Sequence, residues 1–247
     1  MEMQLQSALL SELPGLRHGF TTRHGGVSTG PLSTLNLALR QGQDPEGLVE
    51  NWTRVLHPLD PAALAIADQV HADEVIRVQT GAGPLDTVGA ADALITDRPG
   101  VPIAVRTADC VPILLAAPGA VAAVHAGWRG TTAPIIPPAV AALCELAGCP
   151  PSELRAAIGP CISLASYEVG PEVVRALTNL DLHVCVDRSA TGRTHVDLAR
   201  ANRLLLHRVG VQRVEVLGHC TLRDDRFYSH RGQGPSTGRQ AAWISLC

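Results

Sequence analysis

No lysine occurs anywhere in this chain; all 20 of its basic residues are arginines. That single absence excludes Schiff-base catalysis, anchoring of pyridoxal phosphate and a P-loop lysine. A compositional bias accounts for the absence equally well, so only the exclusions are drawn from it. A broad cationic face is also missing: 20 basic residues stand against 23 acidic ones at a sequence pI near 6.3, and nucleic acid is not an expected partner. The first residues, MEMQLQSALLSELPGL, lack a positively charged start and a long apolar stretch, so no secretory signal is expected. The longest apolar run, 111–124, is broken by Pro118-Gly119 and reads as two buried strands joined by a turn, with no membrane span. Seven cysteines, an odd number without ladder spacing, argue against a disulfide framework and for a cytoplasmic location.

What is present is enough apolar material for a substantial core, 46% of 247 residues, and a single domain spanning 1–247 is expected. Asp44-Pro45-Glu46 gives an N-cap, a first-turn proline and an early acid, followed by Leu48, Val49, Trp52, Val55 and Leu56 on one face. A second helix is expected from Pro138 to about Ala147 with Gly148 as its stop, and a third opens at Pro171-Glu172. A fourth follows Asp197 and ends at Gly210, after which VQRVEVLG reads as a strand. Strand signals fill the middle of the chain at DALITD, VPIAVRT, VPILLAA and AVAAVHA, and AAWISL closes it. Strands in the centre with helices on either side predict an α+β fold, mixed sheets flanked by helices, and no regular parallel winding.

Three segments end an apolar run on a metal-ligating side chain: ADQVHADEV at His71, RTADCVPIL at Cys110 and AAVHAGWRG at His125. Two imidazoles and a thiolate suit zinc with a fourth position open for substrate, and copper accepts the same donors. The spacing matches no compact motif such as CxxC or HExxH, and a core thiol packed beside Val111, Pro112 and Ile113 is an equal reading of Cys110. Small neighbours, Ala126 and Gly127, leave the backbone at His125 approachable, and Trp128-Arg129 adds a stacking face and an anion fork. Asp109 is either a proton shuttle or, slightly ahead, a cap or orienter. Gly25-Gly26-Val27-Ser28-Thr29-Gly30 is either a turn-rich loop or an amide cradle for phosphate, with Arg23 as anion donor and Asn36 as a bifunctional amide. Cys161 in Gly159-Pro160-Cys161 is read as structural, as are His18, His57, His183 and His207. Arg231 and Arg239 either meet a phosphate or, the commoner case, face water.

Several blocks taken in order, TTRHGGVS, Leu35-Asn36-Leu37, QVH at 69–71, DALITDRPG, RTADCVPILL, VHAGWRGT, AAIGPCI with YEVG, and FYSHR with TGR, resemble one family. It is the YfiH or DUF152 family, also called the laccase-type multicopper polyphenol oxidase family, and the blocks run from about residue 17 to residue 244. The resemblance implies a layered α+β domain and a metal, zinc with copper as the alternative, on His71, Cys110 and His125. It also implies purine nucleoside phosphorylase activity on adenosine, inosine and S-methyl-5′-thioadenosine, with adenosine deaminase activity, small-molecule nucleosides and phosphate as partners, and a monomer or homodimer. Two departures stand out: Ala72 follows His71 where the family usually has glycine, and Gly232-Gln233-Gly234 replaces the second arginine and acidic residue often found after FYSHR.

For phosphorolysis without lysine, arginine must hold the phosphate, and the expected assignment is Arg23 and Arg129 with Asn36 on ribose or base, beside Cys110 and Asp109. Three rivals stand beside it. Cys110 and His125 could act as nucleophile and base of a cysteine hydrolase on a peptidoglycan precursor. Copper-dependent polyphenol oxidation is the second, although ten histidines without an HxH pair do not supply the several copper centres of a blue-copper laccase. A metal-binding module without turnover is the third.

Overall fold

The structure is a computed structural model that describes residues 2–38, 44–188 and 192–247. Its strands are β1 (Gln4–Leu5), β2 (Leu16–Thr21), β3 (Ala65–Ile66), β4 (Val75–Arg77), β5 (Ala93–Thr96), β6 (Ile103–Thr107), β7 (Val111–Ala117), β8 (Ala120–Ala126), β9 (Arg155–Ile158), β10 (Val186–Arg188), β11 (Thr194–Val196), β12 (Arg213–Val216) and β13 (Gln240–Leu246). The α-helices are α1 (Ala8–Ser11), α2 (Pro45–Leu56), α3 (Trp128–Thr132), α4 (Ile136–Ala147), α5 (Pro171–Thr178), α6 (Leu198–Arg208) and α7 (His230–Gln233).

Local chemistry sets the helix ends. The Asp44 carboxylate accepts the amides of Glu46 and Gly47 at the start of α2, and Asp197 accepts the Arg200 amide at the start of α6. Gly148 ends α4 in the left-handed region, φ 65°, where a side chain would be strained. The second helix begins at Ile136, two residues before the expected Pro138, because the first turn needs no amide donors and tolerates prolines there.

Two mixed sheets carry the fold. One has the order β1-β2-β13-β6-β3, the other β12-β9-β7-β8-β5-β4, and β10 and β11 form a separate ribbon. Because side chains alternate along a strand, β8 feeds two cores. Val121 and Ala123 pack between the sheets with Leu94, Leu114, Val105 and Ile244. Ala122 and Val124 point the other way, under α4 and α6, against Ile136, Leu143, Leu198 and Leu205. On the far side of the five-stranded sheet, Leu48, Trp52 and Val55 of α2 cover Ile66, Ala104 and Trp243. Layers therefore run helix, sheet, sheet, helix, and burial on both faces explains the near-continuous apolar runs of β7 and β8. Among the described residues no helix is long and apolar enough to cross a membrane.

Candidate metal centre and active-site cavity

His125 has the same parity as Val121 and Ala123, so it points into the layer between the sheets, at the end where that layer opens. β7 pairs with β8 in a hairpin that sets Val111 opposite Ala126, so Cys110, in the turn before β7, reaches the same end. His71 comes from the loop after β3. The ligand atoms of His71, Cys110 and His125 all lie within 4.8 Å of one another, and burial grades from exposed His71 through Cys110 to buried His125. The two imidazoles meet edge to face with centroids 4.8 Å apart.

Charge inside the cluster is arranged by proximity. Burial alone would raise the Cys110 thiol, yet the neighbouring His125 and His71 outweigh it and bring it down to about 6. Burial would lower His125, but the Cys110 thiolate and the Asp92 carboxylate raise it to about 9. Space at Gly127 is tight: a Cβ there would stand 3.1 Å from Cys110 Sγ and 3.1 Å from His71 Cδ2, so both side chains would have to give. Backbone strain gathers at the same place, since His71 at φ 62° and Asp109 at φ 92° are non-glycine residues in a sparsely allowed region.

Asp92 was not singled out in the sequence. Antiparallel pairing of β5 with β8 sets Ala93 opposite Val124, which puts Asp92 and His125 side by side on one face. Its carboxylate is wholly buried; Oδ1 accepts from His125 Nδ1 at 2.7 Å, while Oδ2 accepts the amides of Val70 at 3.2 Å and Ala72 at 2.8 Å. One side chain thus orients both histidines, His125 through its ring and His71 through the amides on either side of it. Burial works against ionisation, but these hydrogen bonds hold Asp92 below the ordinary carboxylate range. At position 72 the contact is made by a backbone amide, so it does not depend on the side chain there.

The cluster opens into a cavity of about 490 Å³, within the usual range for small-molecule sites. His71, Asp109, Cys110 and His125 line it together with Arg106, Tyr167, His230, Arg231 and Arg239. Asp109 braces one wall: Oδ1 accepts from Thr221 Oγ1 at 2.6 Å and Oδ2 from the Arg231 amide at 2.6 Å. Gln233, in the departing GQG segment, accepts from the Ser229 amide and from Thr237 Oγ1, which ties the same wall together.

The remaining residues expected at the site lie off this wall. Arg23 donates twice to the Ser33 carbonyl, at 3.1 and 3.0 Å, and stacks on Tyr228. Arg129 stacks on its neighbour Trp128, 4.4 Å from the ring centroid. Asn36 is fully buried, donating to the Ala38 carbonyl and accepting from the Arg239 amide at 2.8 Å, so it stands behind two residues of the cavity lining. The glycine loop is spoken for as well. The Gly25 amide donates to Thr34 Oγ1 and that of Val27 to Asn51 Oδ1, and a Cβ on Gly26 would collide with Asn51 and the Thr34 carbonyl. These glycines serve close packing of the loop on α2, and their amides face protein acceptors. Cys161 is buried, with its thiol pushed well up by burial, in keeping with a structural role.

Comparison with known proteins agrees with this architecture. The family model described as multi-copper polyphenol oxidoreductase laccase matches residues 17–247. A Deinococcus radiodurans protein named purine nucleoside phosphorylase is 42% identical over 93% of this chain and 88% of its own length. One from Corynebacterium glutamicum with the same activity in its name is 35% identical over 94% of each. The crystal structure of YlmD from Geobacillus stearothermophilus superposes with a TM-score of 0.90 at 34% identity, covering 100% of this chain and 99% of that one. Bacillus licheniformis YfiH gives a TM-score of 0.90 at 31% identity, over 97% and 96% of the two chains. With the family model matched over residues 17–247 and the structural likeness covering nearly the whole chain, the chain belongs to the laccase-type multi-copper polyphenol oxidoreductase family, the family of YfiH and YlmD.

Proposed function

We propose that this protein is a metal-dependent purine nucleoside phosphorylase that acts on adenosine, inosine and S-methyl-5′-thioadenosine, with an accompanying adenosine deaminase activity. The observation that carries this reading is that one cavity holds both a three-donor cluster suited to a metal and a set of guanidinium groups suited to an anion. Relatives named for the activity support it.

His71, Cys110 and His125 would hold zinc, with copper fitting the same donors, and their open side faces the cavity. When bound, such an ion supplies Lewis acidity, which suits polarisation of a nucleoside and hydrolytic attack at the purine C6. Asp92 keeps the Nδ1 proton of His125 in place and leaves Nε2 for the ion. Tyr167, half-buried on the rim with its hydroxyl held neutral by burial and raised to about 12, offers a ring face to the base. Asp109 acts by positioning the wall that carries Arg231. A cysteine-hydrolase reading needs only Cys110 and His125. His71, within the same 4.8 Å, makes a third donor that a dyad does not use, which favours the metal.

The test incubates zinc-loaded protein with adenosine, with and without phosphate, and separates adenine, inosine and hypoxanthine by chromatography. Release of free base that depends on phosphate and disappears in Cys110→Ala is the expected result. Absence of product from the wild type would sink this reading and return the cysteine hydrolase to the front.

A further inference from the structure

Among the described residues the cavity carries three guanidinium groups, from Arg106 on β6, Arg231 on α7 and Arg239 just before β13, and two carboxylates, Asp68 and Asp109. Asp109 is already committed, with each oxygen accepting one hydrogen bond at 2.6 Å. Asp68 exerts only a longer-range attraction on Arg106, and neither Arg106 nor Arg231 has a carboxylate among the ion pairs of the described residues. Among the described residues the Arg106 guanidinium, with five N–H donors, makes one hydrogen bond, from Nη2 to the Ala67 carbonyl at 3.0 Å. Arg231 likewise gives one, to the Glu168 carbonyl at 2.9 Å, while stacking on Tyr167. Burial pulls the Arg106 guanidinium below its ordinary value, with Asp68 opposing, as expected of a cation that its protein surroundings do not fully compensate.

Each of the three backbones is also fixed by a side chain. Gln69 clamps Arg106 from both sides, donating to its carbonyl and accepting its amide, each at 2.8 Å. Asp109 holds the Arg231 amide and Asn36 holds that of Arg239. Donors mounted in this way are preorganised for a ligand. Arg239 gives Nη1 to the Thr237 and Gly238 carbonyls, and three cations around a shared space call for an anion presenting several oxygens.

We propose that Arg106, Arg231 and Arg239 form the subsite for inorganic phosphate, separate from the His71–Cys110–His125 cluster. The assignment deepens the phosphorylase reading and rests on it. In the reaction a phosphate oxygen forms the new bond to the ribose C1′, and the bond from C1′ to the purine nitrogen breaks. The electron pair of that bond leaves with the purine, and the proton of the hydrogen phosphate dianion ends on the purine ring, so atoms and charge balance. The arginines bind the nucleophile, and Gln69, Asp109 and Asn36 are positioning residues.

The same chemistry could hold the phosphoryl group of a nucleotide, so calorimetric titration of folded protein with inorganic phosphate and with adenosine monophosphate separates the two sources. Arg106→Gln and the more exposed Arg231→Gln are expected each to weaken phosphate binding about tenfold or more, the loss of a charge-assisted bond, while KM for the nucleoside stays within about threefold. Cys110→Ala is expected to bind phosphate within about threefold of wild type. Because binding is read directly, a wild type that binds phosphate through these arginines without turnover would count against the phosphorylase reading and leave the subsite standing. Phosphate binding lost in Cys110→Ala but kept in both arginine variants would overturn the proposal and place the anion on the cluster. Binding of the nucleotide without binding of free phosphate would overturn it too.

Discussion

Replacing Asp92 by asparagine removes one charge and keeps the shape, so it isolates what the buried carboxylate does. A carboxylate only accepts, and Asp92 accepts three times, from His125 Nδ1 and from the amides of Val70 and Ala72. Asparagine has one accepting oxygen. If that oxygen stays with the two amides, the NH2 group faces His125 and requires Nδ1 to accept, which moves the ring proton to Nε2, the nitrogen wanted by a metal. Turned the other way, the NH2 group faces two N–H donors on the segment that carries His71. Either arrangement loses a charge-assisted bond worth about 1.5–3 kcal/mol. At about 1.4 kcal/mol per decade, the metal dissociation constant rises about 10–100-fold, the range found when such orienting partners are removed. Competition for zinc against a chromogenic chelator measures it directly, with circular dichroism to check the fold. Affinity within about threefold of wild type in a correctly folded Asp92→Asn protein would show that Asp92 is a packing residue and refute the argument.

Two further outcomes follow from the same cluster. In protein stripped of metal, the wild-type minus Cys110→Ala difference in thiolate ultraviolet absorbance should titrate near 6 and not near the ordinary thiol value of 9.0. Since folding depresses this thiol, its stabilising contribution is complete above 9.0 and is lost as pH falls through about 6. His125 is raised from 6.5 to about 9, so its contribution is complete below 6.5 and is lost as pH rises through about 9. A difference signal centred near 9 would contradict both. Gly127→Ala places a methyl 3.1 Å from Cys110 Sγ and His71 Cδ2, crowding that costs about 1–3 kcal/mol. It should weaken zinc by about tenfold or more while leaving phosphate affinity in place, and an unchanged zinc dissociation constant would remove the steric role given to this glycine.

Much of the frame was legible in the residues themselves. Asp44-Pro45 and Asp197 marked helix starts and Gly148 a helix end because capping is a contest among neighbouring backbone groups, settled within one turn of chain. The runs at 103–107, 111–117 and 120–126 read as strands because burial on both faces writes itself as continuous apolar sequence. Donor chemistry also singled out His71, Cys110 and His125, which the fold brings to one place.

Which polar groups would face them was not legible, because that depends on register between segments far apart in the chain. Asp92 stands beside His125 only through the pairing of β5 with β8, and a slip of one residue would turn it to the opposite face. Arg23 and Arg129 carry the same charge as Arg106 and sit in family blocks, yet one is held by the Ser33 carbonyl and the other lies against Trp128. Composition left arginine as the one permanently cationic side chain open to an anion in this protein, since no lysine exists. That Arg106, Arg231 and Arg239 line one cavity was decided by tertiary structure, because β6, α7 and the approach to β13 are far apart in the chain and meet only through the fold.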